Sequence, residues 1–263
     1  MLEVLSLPFM QRALIAGILV AILSGYYGAF VVQRGLSFLG SGLAHAAFGG
    51  VALGLLIGGE PIVVAAPFTL AIALAITWVR EHTELGSDTA IGIFFSIAMA
   101  LGIVFLSMRD EYSTEAFAYL FGSILSVSSA DIWVTAAVLV VSLFTLRIWG
   151  RWAYATFDRE LAMAYRLPVR RDDYILAAMI AVTVVCAVKV LGIVLITAFL
   201  VIPAATARMV SKSFFAMSIL AVLIGVSATV IGLFASYHFD VPSGATIILV
   251  QSLLFFLSVI FRR

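Results

Sequence analysis

Apolar residues in this chain come in long runs rather than in alternation. Nine stretches can be cut from it, at residues 13–32, 37–57, 62–79, 89–107, 132–146, 174–188, 190–207, 214–236 and 242–261. Most are close to the ~20 residues an α-helix needs to cross a hydrocarbon core. An outer-membrane barrel would instead show segments of about ten residues with apolar and polar positions alternating. The pattern therefore predicts an all-α fold, a polytopic transmembrane helical bundle with eight or nine spans, forming one domain over residues 1–263. The start is the ambiguous part, because residues 5–12 suit an interfacial helix as well as the beginning of a span.

The longest clearly polar segment is 147–173, with six arginines and the acids Asp158, Glu160, Asp172 and Asp173. Within it, Phe157, Leu161, Ala164 and Tyr165 recur at helical spacing, so they line one face of a short helix. Asp158 can cap that helix and Pro168 stops the chain from continuing it. Two roles are open: a docking element for a cytoplasmic partner, or a solvated loop that only fixes topology.

Charge gives the orientation. With segment 147–173 in the cytoplasm, every Lys and Arg falls on that side except Arg12, Arg109 and Lys189. That bias has the expected sign, and it supports an odd number of spans with the C-terminus inside. A composition of 64% hydrophobic and 11% charged residues excludes a soluble domain, which carries about a quarter charged residues. The lone Cys186 excludes an internal disulfide, and the basic residues flank spans rather than forming a nucleic-acid patch.

Candidate chemistry is sparse. Ser37, Ser41 and His45 are spaced by four along the second span and form one polar strip. His45 is the one ionisable residue expected deep in the bilayer, where its cost makes it a functional candidate. A neutral imidazole there can ligate a transition metal, or simply hydrogen-bond across a helix interface. The seventh span carries Pro203 in an apolar run, which predicts a kink with Thr206 near enough to satisfy local groups. On the outside, His238 and Asp240 could meet a metal, although an ordinary loop before Pro242 is the simpler reading. His82, Glu84 and Asp88 read as a solvated cytoplasmic loop in which Ser87 can cap the fourth span. Residues 115–127 suit a helix lying on or dipping into the membrane.

Four stretches together carry a family resemblance. They are Arg34-Gly-Leu-Ser-Phe-Leu-Gly through His45 to Gly50, then Phe157-Asp158-Arg-Glu-Leu-Ala, then Gly192 to Arg208 ending Pro-Ala-Ala-Thr-Ala-Arg, and Asp240-Val-Pro-Ser-Gly. In that order they resemble the membrane permease of the zinc/manganese/iron family of bacterial ATP-binding-cassette importers. The resemblance implies a homodimer of permeases in the bacterial cytoplasmic membrane, two cytoplasmic ATPase subunits and an extracytoplasmic metal-binding protein. It implies a coupling helix at residues 157–167, with Phe157, Asp158, Glu160, Leu161 and Tyr165 meeting the ATPase. It also implies a pathway along Ser37, Ser41 and His45 for a divalent metal ion as cargo, with no cofactor bound by this chain. One position departs from the family, which commonly has an aspartate where this chain has Ser41. A hydroxyl is a poorer ligand than a carboxylate for a divalent cation.

Two rivals are weaker. An ion-coupled secondary transporter calls for a carboxylate or relay at mid-membrane, and the runs carry none. An intramembrane enzyme would need paired carboxylates or a supported nucleophile, and the sequence offers neither.

Overall fold

A computed structural model describes residues 7–109, 119–120, 122 and 127–261. The described elements are helical: α1 Pro8–Gln33, α2 Ser37–Leu56, α3 Pro61–His82, α4 Ser87–Ser107, α5 Ser129–Thr145, α6 Trp149–Phe157, α7 Arg159–Ala164, α8 Val169–Leu191, α9 Ile193–Val210, α10 Phe214–Phe239 and α11 Ser243–Ile260. A single 3₁₀ turn, Leu146–Ile148, joins α5 to α6, and the whole run Ser129–Phe157 counts as one span. Among the described residues, nine helical segments are long and apolar enough to cross a membrane.

Local chemistry sets the helix ends. α1 and α3 open on prolines, whose missing N–H costs nothing in a first turn. α1 closes where Gly35 turns left-handed (φ 67°) and the Leu36 N–H donates back to the Val31 carbonyl. A side chain would strain that turn, and the closure leaves Arg34 at the helix end. α5 opens with a reciprocal box: the Asp131 N–H donates to Ser128 Oγ at 3.2 Å, and the Ser128 N–H donates to Asp131 Oδ2 at 2.9 Å.

The bundle is layered from the inside out. α1, α2 and α8 are largely buried, whereas α4, α5 and α11 present bulky apolar side chains outward. Such a surface suits lipid rather than water. α2 passes its neighbours closely enough that a Cβ on Gly50 would lie 2.6 Å from the Ala65 Cα of α3. Glycine therefore serves close approach here, and α2 runs unbroken through Gly49 and Gly50.

Three expectations change. From Pro8 onward the N-terminal residues belong to α1 rather than to a separate interfacial helix. Lys189 does not interrupt the chain between the sixth and seventh spans. α8 continues to Leu191, because Lys189 Nζ donates to Asp131 Oδ1 at 2.9 Å and lies 3.6 Å from Glu60 Oε1. The break falls instead at Gly192, whose φ of 78° lets one residue end α8 and begin α9. Finally, Ser87 does not cap α4. Gly86 takes the cap position, and Ser87 Oγ accepts from Arg80 Nε at 3.0 Å. The helix expected over residues 115–127 lies mostly outside the described residues.

Candidate functional site

α6 and α7 form a bent arm at the end of the bundle where Arg34 and Arg80 also lie. Asp158 sits at the bend, and its side chain accepts from the Leu161 N–H at 2.8 Å, as the sequence predicts. Leu167 N–H returns to the Ala162 carbonyl and Arg166 turns left-handed, so the arm is closed at both ends. Ala162 is buried on its inner side. Phe157, Leu161 and Tyr165 are 62%, 43% and 70% exposed on its outer side, and Asp158 and Glu160 are exposed beside them. An apolar face set outward on a polar, capped helix is suited to docking a partner.

The arm is clamped from below by charges that read as loop residues in the sequence. Asp173, only 9% exposed, binds Arg34 at 2.6 Å and also pairs with Arg159 of α7. Arg159 reaches Glu81 of α3 at 3.7 Å. Arg34 further donates to Thr156 Oγ1 at 2.9 Å, and Arg151 donates to the buried Asp172 at 2.9 Å. Trp152 is fully buried against Phe30 of α1, ring centroids 5.6 Å apart and perpendicular. Through these contacts the arm is tied to α1, α3 and α8 together.

In α2, Ser37, Ser41 and His45 are all half-buried along one strip. The His45 ring lies 4.4 Å from that of Phe95 in α4, and its Nδ1 is 2.8 Å from the Ser41 backbone carbonyl. A carbonyl can only accept, so the neutral ring carries its proton on Nδ1. That leaves the Nε2 lone pair for a ligand. At the arm end of the strip, a groove of about 560 Å³ runs between α2 and α9, lined by Ser37, Phe38, Thr197 and Val201 among others. Asp88, exposed as the sequence reading expects, lines it too. Pro203 is buried in α9, and the Thr206 hydroxyl donates to the Ile202 carbonyl at 2.8 Å, one turn back across the proline.

His238 and Asp240 lie exposed at the other end of the bundle. Asp240 ends α10 in a left-handed conformation (φ 53°), which aspartate tolerates better than most residues, so helix closure accounts for it. Among the described residues, no group of three or more His, Cys, Asp and Glu side chains could hold a metal ion.

Residues 6–262 match the ABC 3 transport family. The chain is 38% identical over 255 residues to the manganese transport system membrane protein MntC of Listeria innocua, covering 96% of this chain and 90% of that protein. It is 37% identical over 251 residues to the manganese import system permease protein ScaB of Streptococcus gordonii, covering 95% and 90%. Among solved structures it superposes on PsaBC from Streptococcus pneumoniae in complex with Fab, with a TM-score of 0.86 and 36% identity, over 98% of this chain and 93% of that one.

Proposed function

Because this chain belongs to the ABC 3 transport family, we propose that it is the membrane permease of an importer for divalent transition-metal ions, powered by separate cytoplasmic ATPase subunits. Manganese is the favoured cargo, since relatives 38% and 37% identical carry manganese transport in their names. Asp88, which lines the groove with Ser37, offers the carboxylate oxygen that a hard cation such as Mn²⁺ prefers.

One observation carries the reading: an outward apolar face on a capped arm that three other helices clamp. A partner pressing on Phe157, Leu161 and Tyr165 would move the ends of α1, α3 and α8 with the arm. ATP hydrolysis in that partner would then tilt the spans between outward- and inward-open states. The permease has no catalytic task.

Two copies in the bacterial cytoplasmic membrane would face each other across one pathway, each a single transmembrane domain giving one His45. An extracytoplasmic metal-binding protein would deliver the ion at the end where α10 and α11 meet. Two imidazoles and flanking hydroxyls hold a cation weakly, and weak binding permits release. Ser41 in place of an aspartate keeps that hold light.

His45→Ala tests the pathway. In the reconstituted complex, Mn²⁺ uptake is expected to fall by on the order of tenfold or more, with the amount of assembled permease and ATPase unchanged. Wild-type uptake by the variant would return His45 to helix packing.

A further inference from the structure

Beside the arm lies a polar pocket of about 340 Å³, separate from the groove at Ser37. It opens between the end of α3, the start of α4, α7 and the start of α8. Arg80, Arg159 and Arg170 line it with Ser87, Glu81 and Asp173.

Charge in this pocket is unevenly placed. The carboxylates are sunk in the floor, Asp173 at 9% and Glu81 at 7% exposure, and both are engaged by Arg159. Asp173 is also held at 2.6 Å by Arg34 from outside the pocket. Arg80 and Arg170 make no ion pair among the described residues. The Arg80 Nε donates to Ser87 Oγ at 3.0 Å, which fixes that side chain against the pocket wall. Arg170 is exposed at the pocket and Arg80 feels Asp173 and Glu81 only at longer range, so three guanidiniums stand over two sunken acids. A planar guanidinium fork matches a carboxylate by two parallel hydrogen bonds, so the pocket is built for one more carboxylate.

The position of the pocket points to the source of that carboxylate. Arg159 and Met163 line it and belong to α7, whose outer face is the docking surface. Leu161 and Tyr165 lie on one flank of α7 and Arg159 and Met163 on the other, so a partner that clasps the arm on both flanks comes to the pocket mouth. We propose that the pocket receives an aspartate or glutamate side chain of the ATPase, which locks that subunit in register on the arm. The inference rests on the docking role of the arm given above.

The test is a titration of the purified cytoplasmic ATPase against permease in nanodiscs, at several salt concentrations. Arg170→Glu is the main variant because Arg170 is exposed; Arg80→Gln is the second and Leu161→Asp the control. Arg170→Glu is expected to weaken ATPase binding by at least about tenfold and to flatten its salt dependence. A lysine placed at the matching acid of the ATPase should restore binding to Arg170→Glu. Should Leu161→Asp abolish binding while Arg170→Glu and Arg80→Gln keep wild-type affinity and salt slope, the pocket proposal fails and the arm reading stands. Should Leu161→Asp bind as wild type, the arm reading fails and takes the pocket with it. Competition by inorganic phosphate, or by anionic lipid in the nanodisc, with no effect of Arg170→Glu on ATPase affinity would make the occupant a free anion and overturn the proposal.

Discussion

Exchanging Leu161 and Tyr165 together for aspartate is expected to abolish association with the ATPase while the permease stays folded. Both side chains stand outward, at 43% and 70% exposure, so the double exchange removes no core contact. Ala162 and Trp152, which seat the arm on the bundle, are untouched. So are the Asp158 cap and the returning hydrogen bond from Leu167. Apolar anchors at the centre of an interface cost about 2–4 kcal/mol each on truncation. Two lost together, with two carboxylates now forced into the same contact, should take binding below detection. Co-purification with tagged ATPase measures it, and size-exclusion chromatography of the variant alone checks the fold. Undiminished co-purification would remove the docking role.

Asp173→Ala attacks the same machine from inside. The carboxylate is buried and holds Arg34 and Arg159 at once, so its loss leaves Arg34, 12% exposed, without its ion partner. Removing one member of a buried pair costs about 3–5 kcal/mol, chiefly because the other charge stays behind. The variant should unfold at a clearly lower temperature in detergent. It should also lose coupling: ATPase still binds the outward face of α7, but metal no longer stimulates hydrolysis. Replacing Arg34 and Asp173 together by apolar residues of similar size should recover much of the stability without the coupling. Full stimulation in a folded Asp173→Ala complex would show that the clamp does not transmit.

What the sequence makes legible follows from how local each feature is. The nine span-length helices among the described residues are readable because a helix in lipid must satisfy its own backbone over about 20 apolar residues. The face of α7 is readable because residues four apart on a helix share a side, and the Asp158 cap because it acts three residues away. The clamp is not readable, since Arg34 and Asp173 are 139 positions apart in the chain. Lys189 misleads for the same reason: its partners Asp131 and Glu60 are distant, so its charge alone suggests a loop. Ser87 carries a true helix-start signal, but Arg80 claims its hydroxyl and Gly86 takes the cap position. Asp88 is exposed, as the sequence reading expects, and what that reading misses is that it lines the same groove as Ser37.

The energy source is tested most directly in sealed proteoliposomes. Permease alone, permease with ATPase, and the complex with ATP would be compared for accumulation of Mn²⁺ against its gradient. Accumulation is expected only with ATPase and hydrolysable ATP together. Concentrative uptake by the permease alone, without nucleotide, would contradict a permease driven by a separate ATPase.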